Sequence, residues 1–234
     1  MNIAIDIENL NAWYGESHVL HGINLTVKEG EVVTLLGRNG VGRTTTMRAI
    51  MGLTGRRTGR ITVHGRDILD LPSYKIARMG LGYCPEERGI YSTLTVAENL
   101  RLPIIVDPQY AMAEEEIFTL FPNLKERLQS QGTRLSGGEQ QMLAIARVLR
   151  TGARILLLDE ISEGLAPVIV KAIASAVRHL KTRGYTIILV EQNFRFSASM
   201  ADHFYVMDSG RIVHDFASGD LQTNEAILHD YLGV

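Results

Sequence analysis

In the first thirty positions apolar residues alternate with polar ones: Ile3, Ile5 and Ile7, then Ile23, Leu25 and Val27, ahead of a turn at Glu29-Gly30-Glu31. A period of two predicts antiparallel β-structure with one buried face. Arg60-Ile61-Thr62-Val63 and the turn His64-Gly65-Arg66-Asp67 predict another short antiparallel strand. Elsewhere the apolar runs are unbroken. Val32-Val33-Thr34-Leu35-Leu36, Ile155-Leu156-Leu157-Leu158 and Thr186-Ile187-Ile188-Leu189-Val190 read as strands buried on both faces, with Leu81-Gly82-Tyr83-Cys84 a shorter one. Phe204-Tyr205-Val206-Met207, the turn Asp208-Ser209-Gly210 and Arg211-Ile212-Val213 predict a hairpin. Helical spacing predicts a short helix over 72–78 with Pro72 in its first turn, an amphipathic helix over 111–121, and a last helix over 223–231. The clearest helix covers 167–183, with Val170, Ile173, Val177 and Leu180 on one stripe and Gly184 as its stop.

Between residues 91 and 134 the pattern turns helical and richer in charge, with a capping box at Thr95-Val96-Ala97-Glu98 and breaks at Pro103, Pro108 and Pro122. The expected organisation is one domain over 1–234: an α/β core from 1–90 and 151–234, and a helical insert over about 91–150. Its 234 residues suffice for that core. The net charge of −2 supplies no basic field and disfavours sequence-independent nucleic-acid binding. The single cysteine, Cys84, excludes an internal disulfide and reads as a core residue. No apolar run approaches a membrane span, and the start of the chain lacks a signal peptide's charged region. The expectation is an intracellular protein that reaches a membrane only through a partner.

Candidate chemistry centres on Gly37-Arg38-Asn39-Gly40-Val41-Gly42-Arg43-Thr44, set between an apolar strand and the helical stretch that starts at Thr45. A glycine-rich turn there lets consecutive backbone N–H groups cradle phosphates at a helix N-terminus. The spacing is that of a phosphate loop, with Arg43 where the lysine stands and Thr44 as the magnesium-facing hydroxyl. Leu135-Ser136-Gly137-Gly138-Glu139-Gln140-Gln141 opens a helix through Arg150. It reads either as a plain helix cap or as a second anion site. Asp159-Glu160 ends a buried strand, where α/β sheets put ligands, so Asp159 suits magnesium and Glu160 an attacking water. Tyr14, on a loop before a strand, suits purine stacking if the fold returns it to the phosphate loop. His18 and His21 lack the partners of a metal site.

In this order the motifs resemble the ATP-binding subunits of ABC transporters over essentially the whole chain. Pro85-Glu86, Leu135–Gln141, Ser162-Glu163-Gly164-Leu165-Ala166-Pro167, Val190-Glu191-Gln192-Asn193 and the ending Tyr231-Leu232-Gly233 look like the second ATPase of branched-chain amino acid importers. The resemblance implies a P-loop ABC ATPase fold with an N-terminal antiparallel β subdomain and an inserted helical subdomain. It implies ATP and Mg2+ as ligands. Tyr14 would stack on adenine, Gly37 to Thr44 with Thr45 would wrap the phosphates, and Thr44, Asp159 and Glu86 would surround magnesium. Glu160 would polarise the attacking water and Gln192 would touch it or the γ-phosphate, with Arg43 in the lysine's place. Ser136, Gly137, Gly138 and Glu139 would cap ATP held by a second, related ATPase subunit in a head-to-tail dimer. Ser162 to Leu165 would lie across that seam.

A groove around Glu86–Leu100 would receive a helix of a transmembrane permease subunit, and a solute-binding protein would take part indirectly. The implied location is peripheral, at the cytoplasmic face of a bacterial inner membrane. Glu86 and Gln192 depart from the wider family but fit the subgroup. Arg43 and Ile161 depart from both, Ile161 standing where a proline follows the catalytic glutamate. Arginine offers a bulkier, forked contact than lysine, and isoleucine lacks proline's fixed φ. These departures motivate a second reading, a regulatory or structural subunit that binds nucleotide and hydrolyses it weakly. A soluble ABC ATPase acting on DNA or ribosomes ranks last, since the chain has no tandem cassette or basic extension.

Overall fold

The computed structural model describes residues 2–232. The early alternation forms β1 (Ile3–Tyr14) and β2 (Ser17–Lys28), paired antiparallel. Then come β3 (Val32–Leu36), α1 (Arg43–Ile50), β4 (Arg56–Val63) and β5 (Arg66–Asp67). With β4 antiparallel to β1, the first sheet has the order β2-β1-β4-β5. After α2 (Ser73–Ala77) and β6 (Leu81–Cys84) the chain runs through four helices: α3 (Val96–Arg101), α4 (Glu114–Leu120), α5 (Pro122–Glu126) and α6 (Gly137–Arg150). It returns through β7 (Ile155–Asp159), α7 (Pro167–Thr182), β8 (Thr186–Val190), α8 (Phe194–Ala198), β9 (His203–Asp208), β10 (Arg211–Ala217) and α9 (Glu225–Leu232). The second sheet has the order β10-β9-β3-β8-β7-β6, parallel except for the edge strand β10.

All five residues of each of β3, β7 and β8 are buried, as unbroken apolar runs require of strands covered on both faces. One core lies between the two sheets and α1, built on Ile5, Ile7, Leu25, Leu35, Met47 and Ile50. A second lies under α6 and α7, built on Phe121, Leu143, Leu149, Ile173, Val177 and Leu180. Each such side chain contributes about 1.5–3 kcal/mol by leaving water. Cys84 is in the second core, as expected.

Several details differ from the pattern: Tyr14, expected on a loop, is the last residue of β1, and Arg66 and Asp67, expected in a turn, form β5. Ile3 is exposed, because the register slips between Ile3 and Ile5. The helix expected over 111–121 starts at Glu114, because Ala111 and Met112 bond instead to Asp107 and Leu149. Three glutamates, Glu114 to Glu116, favour that later start at the positive end of the helix. Pro122 opens α5 rather than merely closing α4. Among the described residues no helix is long and apolar enough to cross a membrane. Gly233, part of the resembling ending, lies outside the described residues.

The order β3-β8-β7-β6 positions the candidate site. These four neighbours run parallel, so their carboxyl ends deliver the phosphate loop, Glu191-Gln192-Asn193, Asp159-Glu160 and Pro85-Glu86 to one edge.

Candidate nucleotide site

The phosphate loop leaves β3 and enters α1 at Gly42, whose φ of 106° is closed to ordinary side chains. A Cβ on Gly42 would also sit 2.8 Å from Leu20. Gly40, at φ 83°, faces open space, where a phosphate can approach the backbone. No side chain caps α1, unlike α3 and α6, each closed by a capping box. The first N–H groups of α1 thus lack both intrahelical and side-chain acceptors, which suits an anion. Arg38 and Asn39 are exposed at the loop's outer side, Val41 is half-buried, and Thr45 is buried in the helix.

Arg43 turns inward and is only 3% exposed. Its Nη2 donates to Asn39 Oδ1 at 3.0 Å and to Glu160 Oε1 at 2.8 Å, while Nη1 is buried without a partner. The loop's cation is thus paired with the carboxylate expected to act on water. Thr44 donates its hydroxyl to Asp159 Oδ1 at 3.0 Å, and Tyr83 donates to Oδ2 at 2.9 Å. Burial raises the Asp159 pKa against those two bonds. Glu160 takes a left-handed φ of 50°, uncommon for a non-glycine residue. Burial, then a hydrogen bond with Glu163, pushes its carboxyl up to about 8 against the pull of Arg43. Carboxylate oxygens of Glu86, Glu160 and Glu163 lie within 4.8 Å of one another. Hydroxyl and carboxylate oxygens make a hard donor set, which fits magnesium and not a soft metal.

Gln192 is exposed at the end of β8 and lines a cleft of about 380 Å³ together with Glu160, Glu163, Gly164 and Asn193. A larger cleft, about 740 Å³, runs from Gln192 to α9 but does not touch the phosphate loop. Tyr14 is returned to the phosphate-loop helix, where the Arg48 guanidinium lies 5.9 Å from its ring centre. Beside it Trp13 is occupied by His18, stacked at 4.2 Å, and by Arg56.

Ser136 is exposed and accepts from Glu139 N–H at 3.3 Å, while Glu139 accepts from Ser136 N–H at 2.7 Å. In the single chain this segment is therefore a helix cap, with the amides of Gly137 and Gly138 left over. Its neighbours are Arg88, Arg127 and Ile169, so Ser136, Gly137, Gly138 and Glu139 stand apart from the phosphate-loop cluster. A Cβ on Gly138 would meet Ile169 at 2.8 Å, so packing against α7 demands this glycine. A groove of about 470 Å³ beside Pro85 includes Leu53, Arg88, Pro103, Val106 and Arg147.

Sequence reasoning assigned no role to Tyr83, Arg88 or Glu191. Tyr83, a hydroxyl-bearing residue in a buried strand, carried the one usable signal, since such a group needs a polar partner.

Residues 20–163 match the family model described as ABC transporter. The chain belongs to that family. Its fold is the P-loop ABC ATPase fold, and it is an ATP-binding, ATP-hydrolysing subunit of the ABC type. Among relatives, the high-affinity branched-chain amino acid transport ATP-binding protein BraG of Pseudomonas aeruginosa is 39% identical, covering 98% of this chain and 99% of that protein. The lipopolysaccharide export system ATP-binding protein LptB of Escherichia coli K12 is 32% identical, covering 97% of this chain and 95% of its own. A solved ATP-binding subunit of an ABC transporter superposes with TM-score 0.81 at 27% identity, covering 98% of this chain and 96% of that one.

Proposed function

We propose that this ABC ATPase drives uptake of branched-chain amino acids or a related small solute. The observation that supports this solute is the end-to-end 39% identity with BraG, named for branched-chain amino acid transport, against 32% with the lipopolysaccharide export system's ATP-binding protein. The sequence motif Val190-Glu191-Gln192-Asn193 points the same way.

In this reading Gly37 to Thr45 hold the ATP phosphates and Tyr14 receives the adenine. Thr44, Asp159 and Glu86 hold Mg2+, which supplies charge neutralisation at the phosphates when bound. Glu160 orients and deprotonates the attacking water, and Gln192 contacts that water or the γ-phosphate. Arg43 pairs with Glu160 through Nη2, and its unpartnered Nη1 is the nitrogen left to meet phosphate, so the loop's cation and the carboxylate are tied together at the site. The exposed Ser136, with Gly137, Gly138 and Glu139, caps ATP bound to a related ATPase subunit in a head-to-tail pair. The groove at Pro85, Leu53 and Pro103 seats a permease helix at the cytoplasmic face of the inner membrane, with a solute-binding protein acting upstream.

The Arg43–Glu160 ion pair favours one second reading, a subunit that closes on ATP but turns it over slowly. Reconstitution with the permease partner tests both. ATP-dependent leucine uptake is expected, lost with Glu160→Gln where both ATP sites turn over, and uptake of neither leucine nor its analogues would sink the transport reading. If Glu160→Gln left uptake intact, the weak-hydrolysis reading would hold for this subunit.

A further inference from the structure

Glu191 is a carboxylate that the chemistry above does not use, yet it is only 2% exposed at the carboxyl end of β8. Both of its oxygens accept from Ser162. Ser162 donates its N–H to Oε1 at 3.1 Å and its hydroxyl to Oε2 at 2.7 Å. Ser162 lies two residues beyond Glu160, whose own N–H donates to the Val190 carbonyl at 2.9 Å. The turn Glu160-Ile161-Ser162 is thus pinned at both ends to consecutive residues of one strand. It needs the pinning, because the left-handed φ of 50° at Glu160 costs a non-glycine residue free energy. Ile161 is fully buried but has a free φ, so it anchors the turn by packing alone.

We propose that Glu191 is a positioning residue for ATP hydrolysis: by clamping Ser162 it holds the turn that aims Glu160 at the nucleotide. The same strand end carries Gln192, so the clamp also fixes the spacing between Gln192 and Glu160. Burying a carboxylate is costly unless its oxygens are satisfied. Burial pushes Glu191 up to about 7 even with the Ser162 bonds. A turn that needed stability alone would be better served by a neutral side chain. The inference rests on Glu160 being the hydrolytic carboxylate.

The test uses the full chain with two readouts. One is hydrogen–deuterium exchange over residues 160–165, which needs no turnover. The other is hydrolysis of ATP, in single turnovers with the chain in excess and at steady state with kcat and KM separated. Glu191→Gln and Ser162→Ala should each speed exchange in that segment by about tenfold. Each should lower kcat by about tenfold with KM within about twofold. The double variant should be no worse than the weaker single, because the two groups act as one unit. Ser162→Thr, which keeps the N–H and hydroxyl, should restore both readouts. Unchanged exchange in both single variants would overturn the clamp. Faster exchange with unaltered hydrolysis, or losses that multiply in the double variant, would overturn the positioning role. Glu160→Gln run alongside separates the failures: if it leaves hydrolysis intact, the assignment of Glu160 falls while exchange still reports on the clamp.

Discussion

At Arg43 one side chain carries two opposed demands. One nitrogen of the guanidinium, Nη2, holds both Asn39 and Glu160, while Nη1 stays buried without a partner; a lysine ammonium is a compact point charge that leaves no second nitrogen unpaired there. Arg43→Lys should free Glu160 and the loop together, raising ATP turnover by about tenfold, or roughly 1.4 kcal/mol of barrier. Equal or lower turnover in a steady-state assay would show that the ion pair does not restrain the site. Glu191 carries a pH dependence of stability. Its carboxyl titrates at 4.5 in the unfolded chain and is pushed up to about 7 in the folded one. Between those values the native state keeps a proton that the unfolded state has released, so stability falls as pH rises, then levels off above 7. At about 1.4 kcal/mol per unit the loss is about 3 kcal/mol. Denaturant titrations of Glu191→Gln should show a shallower decline between pH 5 and 7 than the native chain. Parallel declines would contradict the assignment. Arg43 stood out in the sequence because it breaks a motif. Glu191 did not, because only the three-dimensional turn brings Ser162 to it.

At the scale of elements, what was legible followed from periodicity. The buried strands β3, β7 and β8, the stripe of α7 and the Thr95 capping box were all readable because their signals are local. The start of α4 was not, because Ala111 closes a separate local turn onto Asp107 and Met112 is committed to a distant carbonyl at Leu149. The phosphate loop was recognisable as a string, but the return of Tyr14 to α1 depends on the first sheet folding over. For α6 the sequence left two readings of Leu135–Gln141 open, and a substitution separates them. Ser136→Asp keeps a good N-cap, whereas Ser136→Ala should cost about 1 kcal/mol. If Ser136 is only a cap, Ser136→Asp should hydrolyse normally in the assembled complex. If it faces phosphate, the added negative charge should abolish hydrolysis while the thermal midpoint stays within a few degrees. The pair of measurements, midpoint and turnover, decides between them.

For the molecule as a whole, the decisive feature is that the two surfaces proposed to face nucleotide are unequal. The phosphate-loop surface carries Arg43 locked to Glu160, whereas the signature surface at Ser136 is exposed, capped and undistorted. In a head-to-tail pair each ATP lies between one chain's phosphate loop and the other's signature. If the partner is a related ATPase with lysine in its own loop, the two ATP sites differ in kind. ATP on the partner is completed by this chain's Ser136 and Gly138 and is hydrolysed. ATP on this chain meets a Glu160 that is paired with Arg43 and turns over slowly. Ser136→Arg here should therefore damage the mixed complex more than Thr44→Ala does, by about tenfold or more in kcat. The purified chain alone should be a poor ATPase that Arg43→Lys improves. Rapid turnover by the chain alone, unimproved by Arg43→Lys, would refute a restrained site. Equal losses from Ser136→Arg and Thr44→Ala in the mixed complex would instead make both sites matter alike, and the asymmetry would have to be abandoned.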